Sequence, residues 1–445
     1  MKATINYKYL NLIELINFDL WDTKRYTSKG IVSTYPIVSL ENCIQEENKK
    51  YKLNEDETKY GILGVNNKEG IFDAYLQKGK DINQSYKKME NGWIAYNPYR
   101  INVGSIGIRL KEHKNEFISP AYVVFSCLEN LKPEFLFLLF KTERFNKVIN
   151  ESTTGSVRQN LTISTLKSLQ IPLPSLEEQD NIVNTYQDKT QQANKLVQQS
   201  QNLEEEIEKY FLEQLELKPF KLKEKSKGLL TIPYNELERW DYFSSDTRIR
   251  IELQKSKFKL PDVTHIFSFT RRSFNKTKYK KETFNYIEIG AIDPTKGILK
   301  AKEVLTKKAP SRATQIVKTG DLIIGTTRPY LKKFALVTNE YNDNVCSSGF
   351  SVIETSNDYS LPYLLNFLKC SYGIEQLKNR MTGGLYPAIT SRELKEIKIP
   401  FPTAEKQKEI MVLVKEKENT ILSNKARVKT LKREAKKEFE NTIFS

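Results

Sequence analysis

Two stretches decide how this chain is built: LKSLQIPLPSLEEQDNIV at 166–183 and LKEIKIPFPTAEKQKEIM at 394–411. Pro172 matches Pro400, Pro174 matches Pro402, Glu177 matches Glu405, Gln179 matches Gln407 and Ile182 matches Ile410, each pair 228 positions apart. That period is too long for a solenoid repeat. A whole domain plus its trailing helix has been duplicated. A monomer built this way carries a pseudo-twofold axis, which suits a twofold target such as duplex DNA.

The repeat runs outward from these blocks. At the same offset Thr154-Gly155 meets Thr382-Gly383, Gly92 meets Gly320 and Arg100 meets Arg328. FISPAYVVF, ending at Phe125, falls on VCSSGFSVI, ending at Ile353, and FLFLLF at 135–140 falls on LLNFLK at 364–369. Trp21-Asp22 matches Trp240-Asp241 at an offset of 219, so the second copy holds a net nine extra residues before Gly320. Divergence sits in the first half of each copy, where variable loops that carry recognition are expected.

Both segments after the P-x-P blocks predict long helices. The first places Ile182, Tyr186, Ala193, Leu196, Leu203, Ile207 and Phe211 at helical spacing, and the second does so with Ile410, Val414, Ile421, Val428, Leu431, Ala435 and Phe439. An amphipathic helix of that length needs a partner for its stripe. Residues 176–217 carry a net charge of −7 and 404–445 a net +4. The two helices are therefore expected to pair as an antiparallel coiled coil. The lobes alternate short β-rich runs (TYPIVSL, YVVF, DLIIGTT, FALV) with turn residues, and helix is expected at Pro133–Val148 and Pro362–Asn379. The fold class is mixed α/β (α+β). The boundaries read as 1–173, 174–217, 218–402 and 403–445, with a Lys-rich linker from about Lys218 to Pro233.

The net charge is +16, and outside the two helices the chain holds +19. Basic lobes are the footprint of a nucleic-acid binder, because neutralising phosphates releases counterions. The alternative is a basic but inert surface. No apolar run is long enough to span a bilayer, and Glu14 and Asn17 interrupt the apolar patch from Leu10 to Phe18, so neither membrane span nor secretory leader is expected. The four cysteines form no C-x-x-C pair and the chain has two histidines, which argues against a zinc site and for free thiols.

No engine is legible. The chain lacks a P-loop and a dinucleotide fingerprint, and two histidines offer no nucleophile–base pair. Asn97-Pro98-Tyr99-Arg100 resembles the Asn-Pro-Pro-aromatic motif of adenine methyltransferases but has one proline where that motif has two, and no Gly-rich S-adenosylmethionine loop accompanies it. Catalytic residues, a metal site and a cofactor held by this chain are therefore not expected.

The residues suited to DNA are of two kinds. GWIAYNPYRINVGSIGI, from Gly92, pairs with GDLIIGTTRPYLKKFALV, from Gly320; each leaves a strand, enters an arginine-bearing loop and returns. Asn97, Tyr99, Arg100 and Asn102 in the first, and Arg328, Tyr330 and Lys332 in the second, are candidate readers, since Arg reads guanine and Asn reads adenine in bidentate fashion. RRSFNKTKYKK at 271–281 interleaves cations with Phe274 and Tyr279 and suits phosphate clamping through Arg271, Arg272 and Lys276. Arg158 and Gln159 form a further basic loop candidate. Each basic loop could equally be a solvated surface, and Thr154-Gly155 a structural turn.

The doubled I-P-[LF]-P-x-x-E-x-Q block, the YNPYRINVGSIG stretch and the two-lobe, two-helix duplication resemble the specificity subunits of type I restriction-modification systems across essentially the whole chain. The resemblance implies two tandem target recognition domains, each reading one half of a bipartite double-stranded DNA sequence, held apart by the antiparallel helices. It implies a non-catalytic cytoplasmic subunit that docks two modification (adenine methyltransferase) subunits and recruits restriction subunits. S-adenosylmethionine, ATP and Mg²⁺ would then belong to those partners. Carried over, Pro172, Pro174, Glu177, Gln179, Pro400, Pro402, Glu405 and Gln407 would serve assembly. The second block departs from the first at Ala404, where the first has Leu176. A fused restriction–methyltransferase partner, a self-contained DNA-modifying enzyme and a coiled-coil scaffold are the competing readings.

Overall fold

The computed structural model describes residues 31–53, 55, 57–152, 160–219, 234, 248–354 and 360–444. Two compact units emerge: one runs to Asn194 and takes up Val428 onward, the other is Lys195–Arg427. The division falls inside both long helices, so each unit holds one lobe and half of each helix.

The two lobes are built to one plan. In the first, a four-stranded sheet orders Ile44–Glu46, Val123–Cys127, Ile94–Tyr96 and Ile106–Ile108 side by side. In the second, the same places are held by Phe269–Thr270, Phe350–Ile353, Leu322–Gly325 and Phe334–Leu336. A five-stranded sheet accompanies each. Lys50–Tyr51, Tyr86–Lys88, Phe117–Ile118, Lys59–Asn66 and Gly70–Lys78 make the first, and Arg272–Ser273, Ala313–Val317, Asn344–Ser347, Thr283–Ile287 and Lys302–Leu305 the second. Each has one parallel pairing at the same place, Ile62 with Phe117 and Tyr286 with Val345, among otherwise antiparallel neighbours. The second lobe adds a small hairpin, Ile292–Asp293 with Gly297–Ile298.

The helix expected at 133–148 is two helices, Pro133–Phe140 and Glu143–Ser152, and its counterpart is likewise Leu361–Lys369 and Ser371–Asn379. The break has a local cause in each copy. Thr142 Oγ1 accepts the amide of Phe145 and so opens a new helix, and Phe140 meets Phe145 edge-on across the bend. In the second copy Gly373 lies so close to Phe367 that a Cβ there would come within 2.2 Å of its carbonyl oxygen.

The long helices are Leu176–Gln214 and Ala404–Ile443. Within the second unit Glu204 pairs with Lys425 at 3.0 Å and Glu206 with Lys417 at 2.6 Å, so one sequence climbs as the other falls and the helices are antiparallel. Within the first unit Tyr186 stacks edge-on to Phe439 and Lys189 pairs with Glu438. In the second unit acidic residues on the first helix meet lysines on the second, and in the first unit Lys189–Glu438 reverses that polarity; exposed ion pairs of this kind stabilise by at most about 1 kcal/mol. Apolar burial does more. Val183, Phe439 and Ile443 join Phe125, Phe135 and Leu139 in the first core, while Ile207, Phe211, Ile410, Val414 and Ile421 join Phe334, Tyr363 and Phe367 in the second. Each lobe is thus fused to the half helix pair it carries.

Candidate nucleic-acid interface

In the first lobe the loop Asn97–Ser105 joins two antiparallel strands of the smaller sheet. Asn97 Oδ1 accepts the Tyr99 amide at 3.0 Å, the Asn97 amide donates to Ser105 O at 3.0 Å, and a 3-10 turn, Ile101–Val103, ends on Gly104 at φ +87°. The Leu161 amide ties the loop to the lobe through Pro98 O at 3.1 Å. Asn97 therefore spends its carboxamide oxygen on the turn. Tyr99 (58 % exposed) and Arg100 point outward, and Asn102 is half-buried and engaged.

The second lobe repeats the device with Pro329–Leu331 as the 3-10 turn. It is flanked by Arg328 at φ +48° and Lys332 at φ +54°, left-handed positions that non-glycine residues rarely hold. Lys332 stands where the first lobe has Gly104. Arg328 is not a free reader. Its Nη2 donates to Leu385 O at 3.1 Å, and its guanidinium lies 5.4 Å from the Tyr386 ring centre. Tyr330 is partly exposed and Lys332 half-buried.

The basic segment at 271–281 resolves differently from its sequence reading. Arg271 and Lys276 are exposed. Arg272 is not a phosphate clamp. Its guanidinium reaches both oxygens of the fully buried Asp321 at 2.5 and 3.3 Å and Glu354 at 3.1 Å. Phe274 and Tyr279 do not interleave with the cations on the surface; they pack with Phe284 at ring separations of 5.1 to 5.9 Å. Arg158 and Gln159, with Thr154-Gly155, lie outside the described residues.

The assembly reading of the repeated blocks is corrected for six of its eight residues. Pro172, Pro174, Gln179, Pro400, Pro402 and Gln407 are buried within this chain, and only Glu177 and Glu405 face solvent. Gln179 is fully buried. Its Nε2 donates to Pro174 O at 2.9 Å and Asn130 O at 3.0 Å, and its Oε1 accepts the Lys132 amide at 2.8 Å. The motif therefore bolts the helix start to its own lobe. Ser175 and Glu178 complete a reciprocal capping box at that start. Gln407 repeats the bond to its own P-x-P carbonyl, Pro402 O, at 2.9 Å.

Three features escaped the sequence. Leu385 and Tyr386 form an exposed apolar tip. Lys395 joins Arg271, Ser351, Ser391 and Thr314 around a cleft of about 330 Å³. Asp321, at the entry to the Leu322–Gly325 strand, is fully buried and meets the Arg272 guanidinium. Among the described residues no cluster of His, Cys, Asp or Glu could hold a metal ion, and no helix is long and apolar enough to cross a membrane.

Comparison with known proteins follows this duplication. The family model of the type I restriction modification DNA specificity domain matches twice, over 44–209 and 253–433, which is most of the chain and one match per lobe. A HindI specificity subunit of a type I restriction enzyme from Haemophilus influenzae is 26 % identical over 111 residues, 24 % of each chain; the chain thus spans about a quarter of the length of that curated relative in the alignment. A chain from a structure of complex assembly and conformational transition in a type I R-M system is similar over 94 % of this chain and 99 % of its own, at 14 % identity and a TM-score of 0.54, which shows a shared fold. A type I restriction-modification S subunit from M. genitalium aligns over 95 % and 98 % at 16 % identity, with a TM-score of 0.49.

Proposed function

We infer, for a chain that belongs to the type I restriction modification DNA specificity family, that its two lobes each read one half of a bipartite duplex target. One observation carries this reading. The same pair of sheets occurs twice, and in each the same strand pair presents a 3-10 turn at the same position, Ile101–Val103 and Pro329–Leu331, with different side chains on it. Identical frames with different tips suit two half-sites of different sequence. The net +19 outside the long helices supplies the sequence-independent attraction to phosphates.

In this reading the chain directs chemistry and does not perform it. Tyr99, Arg100 and Asn102 face the first half-site, with Tyr330 and Lys332 at the second. Arg271 and Lys276 hold phosphates. The antiparallel helices fix the distance between half-sites and carry the surface to which two adenine methyltransferase subunits dock, with Glu177 and Glu405 on its exposed side. Restriction subunits join that complex. S-adenosylmethionine, ATP and Mg²⁺ are bound by the partners, and the assembly works in the cytoplasm.

The test is reconstitution with adenine methyltransferase subunits, followed by genome-wide mapping of methylated adenines. One bipartite motif is expected, and Arg100→Ala should relax one half of it, at a cost of about 1–3 kcal/mol if the contact is bidentate. The lone chain incubated with DNA, Mg²⁺ and S-adenosylmethionine should neither methylate nor cut. Methyl transfer or cleavage by the lone chain, or a single undivided motif, overturns the reading.

A further inference from the structure

The most conspicuous unexplained feature is the tip at Gly383–Pro387. Thr382 and Ala388 exchange both backbone hydrogen bonds at 2.9 Å and close the loop. Gly383 sits at φ +96°, and a Cβ there would come 3.2 Å from Tyr386 O, so a side chain at this position would be strained and crowded. The loop is stitched onto the 326–332 segment: the Arg328 amide donates to Pro387 O at 2.8 Å, the Ile389 amide donates to Thr326 O at 3.0 Å, and Thr327 bridges Ala388. The side chain of Arg328 crosses the same seam to Leu385 O and the Tyr386 ring. A rigid platform results, and it holds Leu385 at 86 % and Tyr386 at 75 % exposure.

Large apolar side chains this exposed on an ordered, braced loop mark an interaction site. Two left-handed non-glycine residues within five positions, Arg328 and Lys332, point the same way, since such strain collects where function needs a fixed geometry. The neighbourhood specifies the partner. Residues 326–333 and 380–389 contain four cations and no carboxylate; Arg380 pairs with Glu396 at 3.2 Å and Lys333 donates to Ile292 O at 2.5 Å, which leaves Arg328 and Lys332 as the cations not met by a carboxylate or by the body of the lobe. An apolar wedge set among cations is what a protein uses to enter a base step while its surroundings neutralise the flanking phosphates.

We propose that Leu385 and Tyr386 are a wedge that unstacks a base step of duplex DNA within the second lobe's half-site, with Arg328 as the positioning residue that braces it. The proposal rests on the DNA-reading function and adds how one half-site is deformed and read. It also makes the two half-sites unequal, because the first copy carries Val157 and Arg158 at the aligned positions. The second half-site is then selected partly by how readily a step opens, with flexible pyrimidine–purine steps favoured.

The experiment uses the full chain reconstituted with methyltransferase subunits and a duplex bearing the mapped target, with 2-aminopurine placed in turn at each adenine of both half-sites. The methylated adenines are left unsubstituted, because a methyltransferase flips its target base and would brighten a probe there without a wedge; at the remaining positions binding should brighten the probe at a step in the second half-site and not in the first. Leu385→Ala/Tyr386→Ala, at exposed positions that the fold does not need, should abolish the rise and weaken target binding roughly tenfold or more, with subunit assembly unchanged. Arg328→Lys keeps the charge and loses the planar fork; it should diminish the rise and target affinity while leaving affinity for unrelated duplex as it was. The wedge is overturned if the double variant keeps both brightening and affinity, or if it loses the methyltransferase subunits and still binds DNA, which would make the tip a subunit dock. In either case specific methylation by the wild-type complex would leave the DNA-reading function standing; its absence would remove that function instead.

Discussion

Arg272→Ala should destabilise the second lobe rather than loosen its hold on DNA, and the structure sets the size of the effect. Asp321 is fully buried, and its charge is met by two bonds from the Arg272 guanidinium and one from the Lys318 amide at 2.7 Å. Truncation leaves a buried carboxylate with a single amide donor and strips Glu354 of its partner. Breaking a buried pair from one side costs about 3–5 kcal/mol. The Arg272 side chain is 23 % exposed, so water can reach part of the gap, which places the loss near the lower end, about 3 kcal/mol. For a unit of this size each kcal/mol moves the melting point by about 2–4 °C, giving a drop of roughly 6–12 °C. Arg271→Ala is the control. Its exposed side chain should leave the melting point in place and reduce the slope of log K against log salt by about one. Calorimetry and salt titration of the two variants separate the roles. Because Arg272 and Asp321 act together, removing both should cost less than the two single losses added. An Arg272→Ala protein that melts like wild type but binds DNA weakly at every sequence would refute the buried-pair argument and restore the phosphate clamp.

The other predictions concern the helices and their bolts. Gln179→Leu removes the donors and acceptor that satisfy Pro174 O, Asn130 O and the Lys132 amide, each worth about 1–3 kcal/mol when left buried and unmet; urea unfolding should show a loss of at least about 2 kcal/mol, and undiminished stability would show the bolt to be dispensable. Gln407→Leu should cost less, since its one described bond is to Pro402 O. Deleting a heptad from both helices together removes about 10.5 Å of helix, or about 3 base pairs, so the unread spacer of the methylation motif should shorten while both half-sites keep their bases. An unchanged spacer with altered half-sites would show that the helices are not the ruler. DNA bending can make the shift smaller than 3 base pairs without reversing it.

The architecture was legible because duplication preserves backbone constraints that only certain residues meet. Gly92 and Gly320 recur at offset 228, and both sit at φ near +85°, +83° and +87°. Pro172 ends the strand Gln170–Pro172, Pro400 follows a single bridge at Lys398 in the second copy, and the stripes of the two helices announced their pairing. Individual side chains were less legible, for a common reason: their partners are far away in sequence. Arg272 looked like a clamp because its counter-charges, Asp321 and Glu354, lie 49 and 82 residues on. Gln179 looked like a surface residue because glutamine is seldom fully buried; its bonds to Asn130 and Lys132 are tertiary. Leu385 and Tyr386 carry no signal of their own in the sequence, because their exposure comes from the loop that the fold closes through Thr382 and Ala388.

Comparison of the two copies shows what was held fixed and what was free to change. At the C-cap of the 3-10 turn the first lobe uses Gly104 at φ +87° and the second uses Lys332 at φ +54°. A lysine in the left-handed region costs of order 1 kcal/mol that glycine avoids. The same turn nonetheless stands at both sites, so its path is imposed by the strands on either side and not by the residue at the cap. The surrounding frame over-determines the backbone, which frees the side chains on it to differ. Arg100 stands exposed in the first lobe, while its counterpart Arg328 reaches across to brace a neighbouring loop. In the proposed reading two half-sites are read differently by one architecture, with the side chains at the tip changing while the strands that hold them stay the same.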